Sequence, residues 1–267
     1  GGGGGGARLE LDGQELDTVR VALNGSALSL NAPDGYALRS KPDGDQVMEI
    51  LPGAAGRLTA PFELQIETRL RPDANTKLEG LYRSAGTFCT QCEAQGFRRI
   101  TWFPDRPDVM SKFTVRLTAP KDTCPVLLSN GNLVSTEELT LTDDDNDEDA
   151  AWWFLESNVR PTLMHSTTWV DPFRKPAYLF ALVAGDLVAL EDTFTTSPSN
   201  RDVALKIWTQ AHNADKTEFA MQSLKESFLW DEQRFNLEYD LDIFQIVAVD
   251  DFNMGAMENK GLNLFNS

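Results

Sequence analysis

Histidine, cysteine and positive charge are all scarce in this chain of 267 residues. Two histidines limit any zinc chemistry the chain could run alone. Three cysteines, Cys89, Cys92 and Cys124, cannot all pair with one another, and an odd count favours a reducing, cytoplasmic compartment. Lys and Arg number 24 against 41 Asp and Glu, for a net charge of −17. Phosphate binding by a nucleic-acid reader draws on clustered Lys and Arg, so no nucleic-acid partner is expected. The acidity suits a cationic ligand or plain solubility. Long apolar runs are absent too. The longest clean one, residues 179–184, is far too short to span a bilayer, so no membrane partner is expected. Residues 1–6 are all glycine, with neither an initiator Met nor an apolar signal core. They read as a flexible tag, a linker or an artefact and stand outside the fold.

What is present is a globular composition, 41% hydrophobic, in a chain long enough for one large domain or two ordinary ones. The first two-thirds reads as β structure. Phe62, Leu64, Ile66 and Leu70 alternate with polar residues, as do Phe113, Val115 and Leu117, which is the period of half-buried strands. Asp12-Gly13, Asn24-Gly25 and Asn130-Gly131 each follow an apolar stretch and predict hairpin turns, because Asn, Asp and Gly tolerate positive φ. Short strands at this spacing predict a β-sandwich. Six acids between positions 143 and 149 interrupt the pattern. They lack the glycine and distal Glu of an EF-hand loop and read as a solvated insert.

The character changes near Gly185-Asp186. Residues 203–208 predict a strand, and Asp215 is placed to cap a helix running to about Phe235. Met221, Leu224, Phe228 and Phe235 fall on one face of it and read as core. Residues 241–249, with Ile243, Ile246, Val247 and Val249, predict a buried strand.

The segment with the most chemistry follows that strand: Met254-Gly255-Ala256-Met257-Glu258-Asn259-Lys260-Gly261. Gly255, Ala256 and Gly261 leave the backbone uncovered, so a ligand main chain could approach and pair with it like an added strand. Glu258 would set a carboxylate at the end of that approach. Backbone would then read backbone, and an acid would read an ammonium. A Gly-containing loop whose Glu faces water fits the same spacing. Cys89-x-x-Cys92 lacks the second pair of a zinc ribbon and the βαβ setting of a redox motif, and reads as packing that positions Gln91 and Glu93.

Gly255-Ala256-Met257-Glu258-Asn259 resembles the GAMEN signature of zinc aminopeptidases of aminopeptidase N type. Gly80-Leu81-Tyr82, Cys89-Thr90-Gln91-Cys92-Glu93-Ala94, Gly96-Phe97-Arg98, Asp105-Arg106-Pro107-Asp108-Val109, Leu128-Ser129-Asn130-Gly131-Asn132 and the segment 178–185 resemble that family's N-terminal domain. Lys260 and the Gly261-Leu262-Asn263 that follows resemble the bacterial alanyl-aminopeptidase branch. The resemblance covers most of residues 62–267 and is absent in the acidic insert.

The resemblance implies a mostly β chain. A β-sandwich domain would span residues 7–186, with the insert at 142–150. The α+β start of a thermolysin-like catalytic domain would follow over residues 187–267, truncated before the zinc site. The activity implied is that of a zinc metallo-aminopeptidase, a hydrolase releasing N-terminal residues from peptides in peptide catabolism. Its one zinc ion would be held by an HExxH helix and a further Glu beyond Ser267. Neither His165 nor His212 has a second His four residues away, so no metal ligand and no catalytic residue is assigned within the chain, which is expected to be inactive alone.

Carry-over is therefore confined to substrate binding. Glu258 and Glu93 resemble the two acids that hold the free α-ammonium. Gly255 and Ala256 resemble the backbone pair that meets the substrate main chain, with Met257 and Asn259 in the same signature. Met254 and Gln91 resemble residues lining the pocket for the first side chain. The partner implied is a peptide with a free N-terminus, and a monomer is the working expectation. The alternative from another class is a non-catalytic β-sandwich interaction module, or a metal-free relative.

Overall fold

A computed structural model describes residues 9–42, 44–56, 58, 61–140 and 163–267. The acidic run at 143–149 lies outside the described residues. Among the described residues strand makes up 48% and helix 16%, so the chain is mostly β, as expected. It divides into two compact units.

The first unit holds the described residues up to Tyr82, with Thr90–Met110 and Lys175–Tyr178. Strands β1 (Glu10–Gly13), β2 (Asp17–Leu23), β3 (Ser26–Ala27), β4 (Tyr36–Ser40) and β5 (Gln46–Ile50), helical turn α1 (Pro52–Ala55) and β6 (Leu64–Arg69) come first. They make two antiparallel sheets, ordered β1-β5-β4 and β3-β2-β6. In β6 the predicted alternation is realised from Leu64, with Leu64, Ile66 and Thr68 turned inward, whereas Phe62 precedes the strand and is exposed. Leu11, Val21, Leu23, Tyr36, Met48, Ile50 and Trp102 share one core.

Asn24-Gly25 turns the β2–β3 hairpin with φ of 51° and 77°. Asp12-Gly13, predicted as a turn, is instead the end of β1 and pairs with β5. The glycine is there for closeness. A Cβ on Gly13 would lie 2.4 Å from the Trp102 ring, so the bare backbone leaves the indole the space a side chain would fill.

The second unit holds Arg83–Cys89, Ser111–Arg174 and Leu179–Ser267. Strands β7 (Gly80–Ser84) and β8 (Thr87–Gln91) join at Ala85 and Gly86, both at positive φ. Then follow β9 (Ser111–Pro120), β10 (Val126–Ser129), β11 (Asn132–Thr140), β12 (Leu163–Lys175) and β13 (Leu182–Gly185). One sheet runs β10-β13-β8-β7 and another β11-β12-β9. The alternation of Phe113, Val115 and Leu117 lies in β9.

The Asn130-Gly131 hairpin does not form. Flanking strands β10 and β11 belong to different sheets, and the dipeptide carries the chain from one to the other. Gly131 has φ +90°, and a Cβ there would sit 2.2 Å from the Val170 carbonyl oxygen.

The C-terminal part is a five-stranded sheet ordered β14-β15-β16-β18-β17: β14 (Val188–Thr195), β15 (Asp202–Thr209), β16 (Ile243–Val249), β17 (Ala256–Met257) and β18 (Leu262–Asn266). Helix α2 (Thr217–Phe235) crosses between parallel strands β15 and β16. Met221, Leu224 and Phe228 pack on Val203, Leu205 and Ile207, as their spacing predicts.

Two helix expectations need correction. Asp215 does not cap α2, because residues Ala211–Lys216 form a 3-10 helix that feeds directly into it, with Thr217 Oγ1 donating to the Ala214 carbonyl. Phe235 is 57% exposed, since it is the last helical residue before the left-handed Asn236 and meets the equally exposed Trp230 edge to face. Strand β16 buries Gln245, Val247 and Val249 on one face, while Phe244 and Ile246 line the other beside α2.

Candidate functional site

The apolar strand β16 sits between β15 and β18, and both pairings are parallel. After it the chain loops through Met254 and Gly255 to the short strand β17, which lies at the sheet edge. Register pairs Ala256 with Phe265 and Met257 with Leu264. The Asn266 amide donates to the Gly255 carbonyl at 3.1 Å. That bond makes Ala256–Phe265 a non-hydrogen-bonded antiparallel pair. The N–H and C=O of Ala256 therefore point away from β18, toward the open edge.

Period two sorts the side chains. Gly255, Ala256 and Glu258 are exposed, whereas Met257 and Asn259 are each only 1% exposed and Met254 is half-buried. Met257 and Asn259 thus anchor the strand from beneath, which leaves Ala256 and Glu258 as the groups it presents. No heavy atom lies within 4 Å of a Cβ placed on Gly255, and its φ is not in the left-handed region, so the fold itself asks for no glycine there.

The far end of the segment is pinned, by residues that periodicity and motif reading did not assign to it. Lys260 Nζ donates to both oxygens of Asp240, at 2.9 and 2.8 Å, and lies 4.6 Å from the centre of the Phe173 ring. Asn130, 1% exposed, donates from Nδ2 to the carbonyls of Lys260 (2.8 Å) and Leu179 (3.0 Å) and accepts from the Ala181 amide (2.7 Å). The sequence signal was there, but Asn130 read as a turn residue, whereas its side chain makes the contacts that hold the segment. The turn closes through the Leu262 amide donating to the Asn259 carbonyl, with Gly261 at φ +72°.

Gln91 and Glu93 belong to the first unit. Gln91 is 1% exposed at the end of β8 and donates from Nε2 to the Glu93 carbonyl at 3.2 Å; the Glu93 side chain is exposed. Cys89 and Cys92, between which Gln91 sits, are fully buried free thiols, as Cys124 nearly is. Burial pushes the Cys92 thiol up, and the Asp105 carboxylate adds to the shift.

Among the described residues no group of three His, Cys, Asp or Glu could hold a metal. Buried His165 meets the Cys124 carbonyl at 2.6 Å, and exposed His212 lies beside Asn213. The described residues do not fit a zinc ion.

The chain is similar to known proteins over nearly its whole length. The Peptidase M1 N-terminal domain model matches residues 11–164, and the Peptidase family M1 domain model matches residues 219–267. Aminopeptidase N of Escherichia coli is 48% identical over 98% of this chain, and that of Haemophilus influenzae 46% over 97%. Each match covers 26% of the relative, so the chain spans about a quarter of the length of the curated relatives it matches. A crystal structure of Legionella pneumophila aminopeptidase A in complex with aspartic acid superposes with a TM-score of 0.80 at 33% identity, over 97% of this chain and 26% of that one. Since the N-terminal-domain model alone spans more than half of the sequence and the second model takes up its last part, the chain belongs to peptidase family M1.

Proposed function

We propose that this chain supplies the grip on a free peptide N-terminus within a larger metallo-aminopeptidase. The observation that carries the reading is the edge strand β17, whose Ala256 backbone faces outward two residues before an exposed Glu258. A peptide main chain added at that edge would exchange hydrogen bonds with Ala256, and Glu258 would accept from its α-ammonium. Glu93 is the second acid for that cation, and Gln91 and Met254 line the first side-chain pocket; these roles rest on the family resemblance. Internal positions of a peptide have no ammonium, so the acids favour chain ends. Holding the terminus fixes which peptide bond reaches the reacting groups.

The metal chemistry of the family, zinc in this reading, falls to residues other than those described here. In this reading, resting on the family resemblance, the domain boundary falls at residues 186–187. Three free buried thiols fit a reducing cytoplasm.

The test is Glu258→Gln in the full-length protein, assayed on an aminoacyl-anilide. One lost charge-assisted hydrogen bond is worth about 1.5–3 kcal/mol, and with the paired acid left unbalanced kcat/KM should fall by about a hundredfold. A variant within about threefold of the parent would remove Glu258 from the site.

A further inference from the structure

We propose that a cleft around Arg99, within the first unit, binds a multivalent oxyanion of the phosphate type. It uses none of the residues assigned above. The cleft has a volume of about 350 Å³, within the usual range for small-ligand sites. Four of its twelve lining residues are basic, Arg69, Arg71, Lys77 and Arg99, against the two acids Glu15 and Asp17. In a chain with 24 basic residues among 267 and a charge of −17, that is a local reversal of sign.

Arg99 carries the inference. Its side chain is 7% exposed, and Nη2 donates to Glu15 Oε2 at 2.6 Å. Its Nε and Nη1 are buried with no partner. Unmatched donors on a buried guanidinium are costly, so a resident acceptor is expected there. Glu15 does not supply that acceptor, because neither of its oxygens accepts from Nε or Nη1. Its other oxygen, Oε1, accepts from Lys77 Nζ at 2.6 Å, which turns it toward Lys77.

A tetrahedral oxyanion has more oxygens than a carboxylate. Taking the place of the half-exposed Glu15 carboxylate, it could accept from Lys77 and Arg99 Nη2 and still turn an oxygen toward the donors left over. Planar guanidinium groups favour such ligands because they present several donors at once. Arg69 and Arg71 have neighbours of their own and add to the positive field at the mouth.

The experiment is calorimetric titration of the 267-residue chain with sodium pyrophosphate at fixed ionic strength, without divalent cations. Parallel arms use inorganic phosphate, ATP and sodium chloride. Pyrophosphate should saturate one site with sub-millimolar Kd, and chloride should not compete at equal ionic strength. Glu15→Gln removes the resident anion and should tighten binding by about threefold or more. Arg71→Gln should weaken it about three- to tenfold, and Arg99→Gln more than about tenfold. Tighter binding of ATP than of pyrophosphate would make the source a nucleotide, and equal binding a free phosphate. Because Arg99 is buried and its variant could misfold, the exposed positions Glu15 and Arg71 decide the outcome. Non-saturating heats, or affinities unmoved by both of those substitutions, would overturn the proposal and leave the Arg99 donors to buried water.

Discussion

Replacing Asn130 by Ala should cost far more than the loss of one amide suggests. The side chain serves three buried or half-buried backbone groups: the carbonyls of Leu179 and Lys260 and the amide of Ala181. Each hydrogen bond is worth about 1 kcal/mol net, and each group left without a partner costs about 1–3 kcal/mol. Water can reach the half-buried Lys260, which lowers the total. A loss of about 3 kcal/mol is expected, which for a chain of this size is a fall in Tm of about 6–12 °C. Urea unfolding followed by circular dichroism measures it, read as a lower midpoint at constant m. Asn130→Asp sharpens the test. It keeps the shape and the bond from Ala181 but sets an oxygen against two carbonyl oxygens, so it should destabilise at least as much as Ala. If Asn130→Asp unfolds within about 1 kcal/mol of the parent, the two donated bonds contribute little and the clamp on the segment after Glu258 is refuted.

Three further outcomes follow from the geometry. Gly255→Ala should move Tm by no more than about 2 °C, because its Cβ meets nothing, yet should lower kcat/KM of the full-length protein by crowding the peptide edge; a large fall in Tm would show a structural need for glycine. All three thiols should resist a thiol reagent in the native state and react on unfolding, since Cys89, Cys92 and Cys124 are buried and free and burial raises Cys92 and Cys124; rapid native labelling would contradict their burial. Hydrogen bonding from Lys77, then the charge and hydrogen bond of Arg99, hold the Glu15 carboxyl below its ordinary value of 4.5. Its stabilising share is therefore present above that pH and is lost as pH falls through the lowered folded value. Side-chain carbon NMR should show Lys77→Met moving the Glu15 midpoint back up, and an unmoved midpoint would deny the pair.

Local alternation was enough to place β6, β9 and α2, because burying one face of a strand or helix leaves a period in the sequence. Turn chemistry was less dependable. Asn24-Gly25 makes a hairpin, whereas Asp12-Gly13 makes room for Trp102 and Asn130-Gly131 passes between sheets. The same residue types serve positive φ and close approach, and only the neighbour across space distinguishes them. The candidate site shows the same division. Its motif was legible as glycine, small residue and acid, and the β17 alternation sorts Ala256 and Glu258 outward from Met257 and Asn259.

The sequence by itself determined a mostly β, acidic chain whose cysteines cannot all pair, a helix with most of its inner face, and one segment of glycine, small residue and acid that we propose takes a peptide end. Those follow from composition and from periods a few residues long. Tertiary structure alone decided that the segment becomes an edge strand, that Asn130 and Asp240 hold its far end from 130 and 20 residues away, and that Arg99 is buried with donors to spare. Edges, clamps and unmatched donors are relations between residues far apart in the chain, and no local period encodes them.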